Sequence, residues 1–133
     1  MHVVELFHGY TYSAHPLACA AGLATLDLYR DERLFERAHK LESAWAEAAM
    51  SLKGLPNVLD IRCVGLTAGI DLASRPGEVG KRAYDAMDKA FREQELVIRA
   101  AGETIVLTPP LIVSEGEIEE MFAKAARVIK AVA

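Results

Sequence analysis

Hydrophobic residues recur at two different spacings along this chain, and the order in which those spacings alternate leaves few folds open. Leu34, Ala38, Leu41, Trp45, Ala48 and Leu52 stand four and three residues apart, while Glu36, Arg37, Lys40, Glu42 and Glu47 fill the other side. That is the period of an α-helix with one buried face, and Gly54 with Pro56 supplies its stop. Across 58–72 the spacing drops to two. Leu59, Ile61 and Cys63 alternate with Asp60 and Arg62, and after Gly65 come Leu66, Ala68, Ile70 and Leu72. Successive side chains on a strand point to opposite faces, so this stretch predicts two strands paired antiparallel.

Arg75-Pro76-Gly77 is turn chemistry. Val79, Ala83, Met87, Ala90 and Phe91 then restore the helical period up to about Gln94. Two short strand-like runs follow at 96–100 and 104–108, joined through Gly102, and Pro109-Pro110 stops the second. The last helix announces its start. Ser114 and Glu117 form a capping-box pair, Val113 and Ile118 occupy the hydrophobic-staple positions, and the inward stripe is Ile118, Met121, Phe122, Ala125, Ile129 and Val132.

At the other end, residues 1–15 carry no helical period and read as an extended or looped lead-in to Pro16, which suits a first helical turn. Residues 17–29 are apolar or small almost all round, including Ala18, Cys19, Ala20, Ala21, Gly22 and Ala24, which predicts a helix buried on several sides. The order helix, helix, strand, strand, helix, strand, strand, helix implies an α+β fold, a two-layer domain whose antiparallel sheet is covered by helices. With 133 residues the chain fits one such domain.

Composition narrows the function classes. A net charge of -4 without a basic block gives no support for nucleic-acid binding. The longest apolar stretch, 16–26, is too short to span a bilayer and no signal-peptide pattern opens the chain, so no membrane partner and a cytoplasmic location are expected. Cys19 and Cys63 lack paired spacing and read as buried, reduced thiols.

Several clusters invite chemistry. His2, His8 and His15 match no metal-ligand spacing, so no metal site is expected and loop hydrogen bonding is the plainer reading. Ser13 and His15 could share a side, but no acid is placed to orient the imidazole. Thr11-Tyr12-Ser13, just ahead of Pro16, puts hydroxyls and backbone N–H groups at a helix start, which suits an anion, although capping by Ser13 would explain them as well. Arg99 lies opposite the apolar side of its predicted strand, just before the turn, where a guanidinium could meet a carboxylate or simply pair with Glu103. Lys40, Lys53, Lys81, Lys89, Lys124 and Lys130 all fall on polar sides or ends of predicted helices, and none reads as a buried nucleophile.

The run Glu5-Leu6-Phe7-His8-Gly9-Tyr10-Thr11-Tyr12-Ser13-Ala14-His15-Pro16-Leu17-Ala18-Cys19-Ala20-Ala21 resembles the signature of class III aminotransferases, long enough to be specific. Leu96-Val97-Ile98-Arg99-Ala100-Ala101-Gly102-Glu103-Thr104-Ile105, then Thr108-Pro109-Pro110-Leu111 and Glu117-Ile118, resemble the C-terminal pattern of the same family. Enzymes of the β-alanine:pyruvate or ω-amino acid:pyruvate type are the most similar. The resemblance implies the C-terminal, small domain of a fold-type I transferase over 1–133, with 1–30 connecting from a large domain. It implies pyridoxal phosphate as cofactor, a homodimer or other homo-oligomer, and transfer of an amino group from an ω-amino acid or amine to pyruvate, a keto acid. Thr11 then corresponds to the residue that approaches the cofactor phosphate across the dimer interface, and Tyr10 lines the same site. Arg99 corresponds to the mobile arginine that pairs with a substrate carboxylate.

Two departures stand out. Ala14 occupies a place where many members have glycine, a mild change because small residues serve there. The Schiff-base lysine and the acidic partner of the pyridine nitrogen belong to the large domain, so no catalytic residue is expected in these 133 residues and the isolated chain is expected to be inactive. The alternative is a non-catalytic binding or assembly module derived from the same small domain.

Overall fold

The computed structural model describes residues 9–133. His2, His8 and the Glu5–His8 part of the family-like run lie outside the described residues. The chain divides into two compact units, Met1–Leu34 and Phe35–Ala133.

In the first unit the described residues form a tight turn and helix α1 (Pro16–Asp31). His15, extended, is its N-cap, and Pro16 sits in the first turn as expected. Arg30, near the negative end of the helix dipole, reaches Asp27 at 3.0 Å and Asp31 at 2.9 Å. The expected burial on several sides is not found. No residue of α1 is buried, Leu17, Leu23, Leu26 and Leu28 are exposed, and Cys19 is exposed rather than enclosed. Small side chains leave a helix with little area to bury by itself. They gain contact only when another backbone comes close.

The second unit holds all but the first residue of α2 (Leu34–Met50), then β1 (Val58–Val64), β2 (Thr67–Leu72), α3 (Lys81–Gln94), β3 (Arg99–Ala101), β4 (Thr104–Leu107) and α4 (Glu115–Ala131). The strands make one antiparallel sheet in the order β1-β2-β4-β3. Both hairpins close through two residues. Val64 pairs with Thr67 around Gly65, and Ala101 pairs with Thr104 around Gly102. In each, the first loop residue is a glycine at positive φ, +54° and +60°, as such short loops require.

One face of the sheet is the floor of the core. Ala68, Ile70 and Leu72 of β2 and Ile105 and Leu107 of β4 are buried there, under Trp45 and Ala49 of α2, Ala83, Ala86 and Ala90 of α3, and Ile118, Phe122, Ala125 and Ile129 of α4. Trp45 meets Phe122 edge-on, with ring centroids 4.8 Å apart, which adds a directional aromatic contact to the area buried. The expected capping box is present at α4. Ser114 Oγ accepts from the Glu117 N–H, and the Glu117 carboxylate accepts from the Ser114 N–H at 2.8 Å. Val113 and Ile118 are both buried, as staple residues should be.

Several local expectations fail, among them that Leu59 shares the apolar side of β1: it is exposed, next to the irregularity between Val58 and Asp60. Val79 precedes α3 and is exposed, because the helix begins at Lys81 after Gly80 turns into the left-handed region at φ +78°. Phe91 is also exposed. The inward side of α3 consists of Ala83, Ala86 and Ala90 together with Arg82, so small residues set how closely the helix approaches the sheet. Arg82 is buried with its charge satisfied by main-chain carbonyls, donating through Nε to Ala73 O at 2.8 Å and through Nη1 to Val132 O. Finally, β3 is shorter than 96–100. Leu96 and Ile98 are buried ahead of it, and the ladder starts only at Arg99.

The contrast between two phenylalanines is testable by urea denaturation of the chain. Phe122→Ala should lose about 3 to 5 kcal/mol, the usual cost of emptying a packed aromatic site. Phe91→Ala should stay within about 0.5 kcal/mol, as for a surface change. Equal losses would place Phe91 in the core after all.

Candidate functional site

The face of the sheet turned away from the helices carries the polar side chains. Directly paired residues project on the same side of an antiparallel sheet, so the register sets Arg62, Gly69, Val106 and Arg99 in one row across all four strands. Asp60, Asp71, Thr104 and Ala101 form the next row.

At the β1 side this face is electrostatically satisfied. Arg62 donates to both carboxylate oxygens of Asp71, at 2.6 and 2.8 Å, and to Asp60 at 2.7 Å. Thr104 donates its hydroxyl to Asp71 at 2.6 Å. These bonds, Arg62 first and Thr104 second, hold the Asp71 carboxyl at about 2, and Asp71 with Asp60 raises the Arg62 guanidinium. Gly69 belongs to this arrangement. A Cβ there would stand 3.4 Å from Thr104 Cγ2 and 4.0 Å from Arg62 Nη2.

At the β3 edge the situation is reversed. Arg99 is exposed, and no hydrogen bond or ion pair holds its guanidinium among the described residues. The expected partner, Glu103, faces elsewhere. Its Oε1 accepts from the Gly80 N–H and from Ser74 Oγ, both at 2.5 Å, which holds its carboxyl below the usual range, the Gly80 N–H foremost.

In the first unit, residues 10–13 form a turn in which the Ser13 N–H donates to Tyr10 O at 3.0 Å. The Ser13 hydroxyl accepts from the Tyr10 N–H at 2.9 Å and does not cap α1, so the capping explanation of this segment is corrected. The start of α1 has no side-chain cap and no acidic residue in its first turn. Tyr10 and Thr11 are exposed, and the Thr11 hydroxyl has no partner among the described residues. Ala14 adopts φ +61°. A left-handed alanine costs roughly 1 to 2 kcal/mol, which explains why glycine suits this position and makes the alanine a costlier substitution than its size suggests.

Lys81, Lys89 and Lys124 are paired with Asp85, Glu93 and Glu120, and Lys40, Lys53 and Lys130 are exposed. No lysine is enclosed in an apolar site. No group of three metal-ligating side chains occurs among the described residues, nor is any described helix long and apolar enough to cross a membrane.

The family model for aminotransferase class-III matches residues 1–129. The chain belongs to the class-III aminotransferases. An omega-aminotransferase of Caulobacter vibrioides is 50% identical over 126 residues, which are 95% of this chain and 28% of that protein. A beta-alanine–pyruvate aminotransferase of Pseudomonas aeruginosa is 36% identical over 132 residues, 99% of this chain and 29% of that protein. Among solved structures, a thermostable omega transaminase from Pseudomonas jessenii superposes with TM-score 0.83 at 28% identity, covering 96% of this chain and 30% of the other. An adenosylmethionine-8-amino-7-oxononanoate aminotransferase from Methanocaldococcus jannaschii gives 0.81 at 32%, with 96% and 30% covered. The chain thus spans less than a third of the class-III aminotransferases it matches.

Single-sequence reading missed the Arg62–Asp71–Thr104 network, although the signal was present: a basic residue on β1 and an acid on β2 at alternating positions of the same outward parity. The network makes a pH prediction for this aminotransferase chain. A carboxyl lowered from 3.8 to about 2 in the folded state stabilises that state above the ordinary value and loses the contribution as pH falls through about 2. Asp71→Asn should therefore be less stable than the parent chain at pH 7, with the gap narrowing below about pH 4 and closing only as pH falls through about 2, measured by urea titration. A gap that persists unchanged in acid would show that the charge of Asp71 is not what matters.

Proposed function

We propose that this chain is the C-terminal, small-domain portion of a pyridoxal-phosphate-dependent aminotransferase that moves an amino group from an ω-amino acid or amine, such as β-alanine, to pyruvate. Residues 1–30 form the connection to a large domain carrying the Schiff-base lysine. The observation that carries the reading is Arg99, an exposed guanidinium on an edge strand with no partner among the described residues, whereas Arg30, Arg37, Arg62, Arg75, Arg82, Arg92 and Arg127 each donate to one. A bidentate carboxylate is the ligand such a planar fork matches best.

The residues present fit the two anionic ends of such a reaction. Thr11 offers an unengaged hydroxyl beside an uncapped helix start with no competing acid, which suits a phosphate. Tyr10, exposed next to it, offers an aromatic wall. Bound pyridoxal phosphate would supply the carbonyl that takes up the amino group and the electron sink for the adjacent C–H bond. Arg99 fixes the far carboxylate of a substrate so that its amino end is presented in one orientation, and withdraws for a substrate without one. Tyr10 and Thr11 act across a homodimer interface. The isolated 133 residues, without an enclosed lysine, do not catalyse, and the location of the whole enzyme is cytoplasmic.

Arg99→Ala in the full-length enzyme should cost about 2 to 4 kcal/mol for β-alanine and pyruvate, or roughly 30- to 1000-fold in kcat/KM. A carboxylate-free amine should change by less than about tenfold, and Arg99→Lys should rescue only partly because it loses the fork. Single-turnover rates of each half-reaction, followed by cofactor absorbance, make the comparison. Equal losses for both donors would make Arg99 a structural edge residue. Thr11→Ala should weaken pyridoxal phosphate retention on dialysis by about tenfold, the worth of one hydrogen bond to a charged group. Unchanged retention would remove Thr11 from the phosphate site.

A further inference from the structure

Arg99 sits on a strand of three residues at the edge of the sheet, with β4 as its ladder partner. So little ladder cannot by itself fix the direction of a guanidinium, and the two-residue loop joining β3 to β4 becomes decisive. That loop is Gly102 and Glu103, and it is fastened at three points. The Leu72 N–H donates to Glu103 O at 2.9 Å, while Ser74 Oγ and the Gly80 N–H donate to Glu103 Oε1. Gly80 also lies beside the loop, where an added Cβ would be in ordinary van der Waals contact with Gly102 O at 3.5 Å. Glu103 Oε2 is buried without a hydrogen-bond partner among the described residues, so the carboxylate is turned into the protein. A carboxylate four residues from an arginine is its obvious salt-bridge partner. Here it is engaged elsewhere.

We propose that Glu103 is a positioning residue for Arg99: by tying the β3–β4 loop to Ser74 and to the start of α3, it fixes the strand that carries the guanidinium and keeps its own carboxylate from occupying it. The inference rests on the reading of Arg99 as the carboxylate-binding group. Glu103 does not touch substrate. Its effect passes through Arg99, and so it falls on substrates with a distal carboxylate and spares those without.

The test is a double-mutant cycle in the full-length enzyme, with Arg99→Ala, Glu103→Ala and the pair, assayed with β-alanine and with a carboxylate-free amine. Glu103→Ala should lower kcat/KM for β-alanine about 10- to 100-fold, the scale of a misplaced binding group, mainly through KM. The amine should change less than about threefold, and in the Arg99→Ala background Glu103→Ala should add no further selective loss. Glu103→Gln keeps an acceptor for the Gly80 N–H while losing the charge, and should fall between the parent and Glu103→Ala. Equal losses for both donors, or an undiminished selective loss without Arg99, would overturn the proposal. An unselective Arg99→Ala would instead overturn the carboxylate reading itself. Amide exchange then judges the tie separately, since faster exchange at Gly80 and Leu72 in Glu103→Ala supports it and unchanged exchange refutes it.

Discussion

Everything in the second unit depends on one face of a four-stranded sheet being apolar and the other not. Ala68, Ile70, Leu72, Ile105 and Leu107 must all leave water together, because a shift of one residue in either hairpin would turn the whole set outward. The glycines at the two loop starts fix that register. Once it is fixed, the outward rows follow without further instruction, and Arg62, Asp71, Thr104 and Arg99 arrive on one surface from four separate strands.

That division also decides where chemistry can sit. On the helix side the buried Arg82 is tied to two main-chain carbonyls, and the buried indole N–H of Trp45 has no hydrogen-bond partner among the described residues. On the open side charges are free to pair or not, and the face is graded along the strand order, saturated at β1 and open at β3. An arginine held by two carboxylates has little left for a ligand. The identical side chain three strands away keeps its full donor set.

The parts of this arrangement that depend on local pattern were legible in the sequence. The start of α4 was written in Ser114 and Glu117, the β1–β2 pair in its alternation, and the outward side of Arg99 in the burial of Leu96 and Ile98. What could not be read depends on contacts distant along the chain. Phe91 looked like a core residue because it is large and follows the helical period, yet the close packing of α3 on the sheet leaves room there for alanines. Glu103 looked like a partner for Arg99 because it is near in sequence, while its actual partners lie 29 and 23 residues away. The small-residue helix α1 shows the converse. Its composition predicts burial on several sides, and none of its residues is buried.

Among the described residues the sheet also has two unpaired rims, and they differ in how they resist joining another sheet. β3 is too short to template a neighbour. β1 is seven residues long with Leu59 and Val64 exposed, the profile of a strand that recruits copies of itself. Its register is broken by an irregularity between Val58 and Asp60, and the charges of Asp60 and Arg62 stand just beyond. An incoming strand would have to cross that kink and set its own side chains beside the charges of Asp60 and Arg62. The same cluster that leaves this end of the face with nothing to offer a ligand therefore protects the polypeptide against fibrillar association.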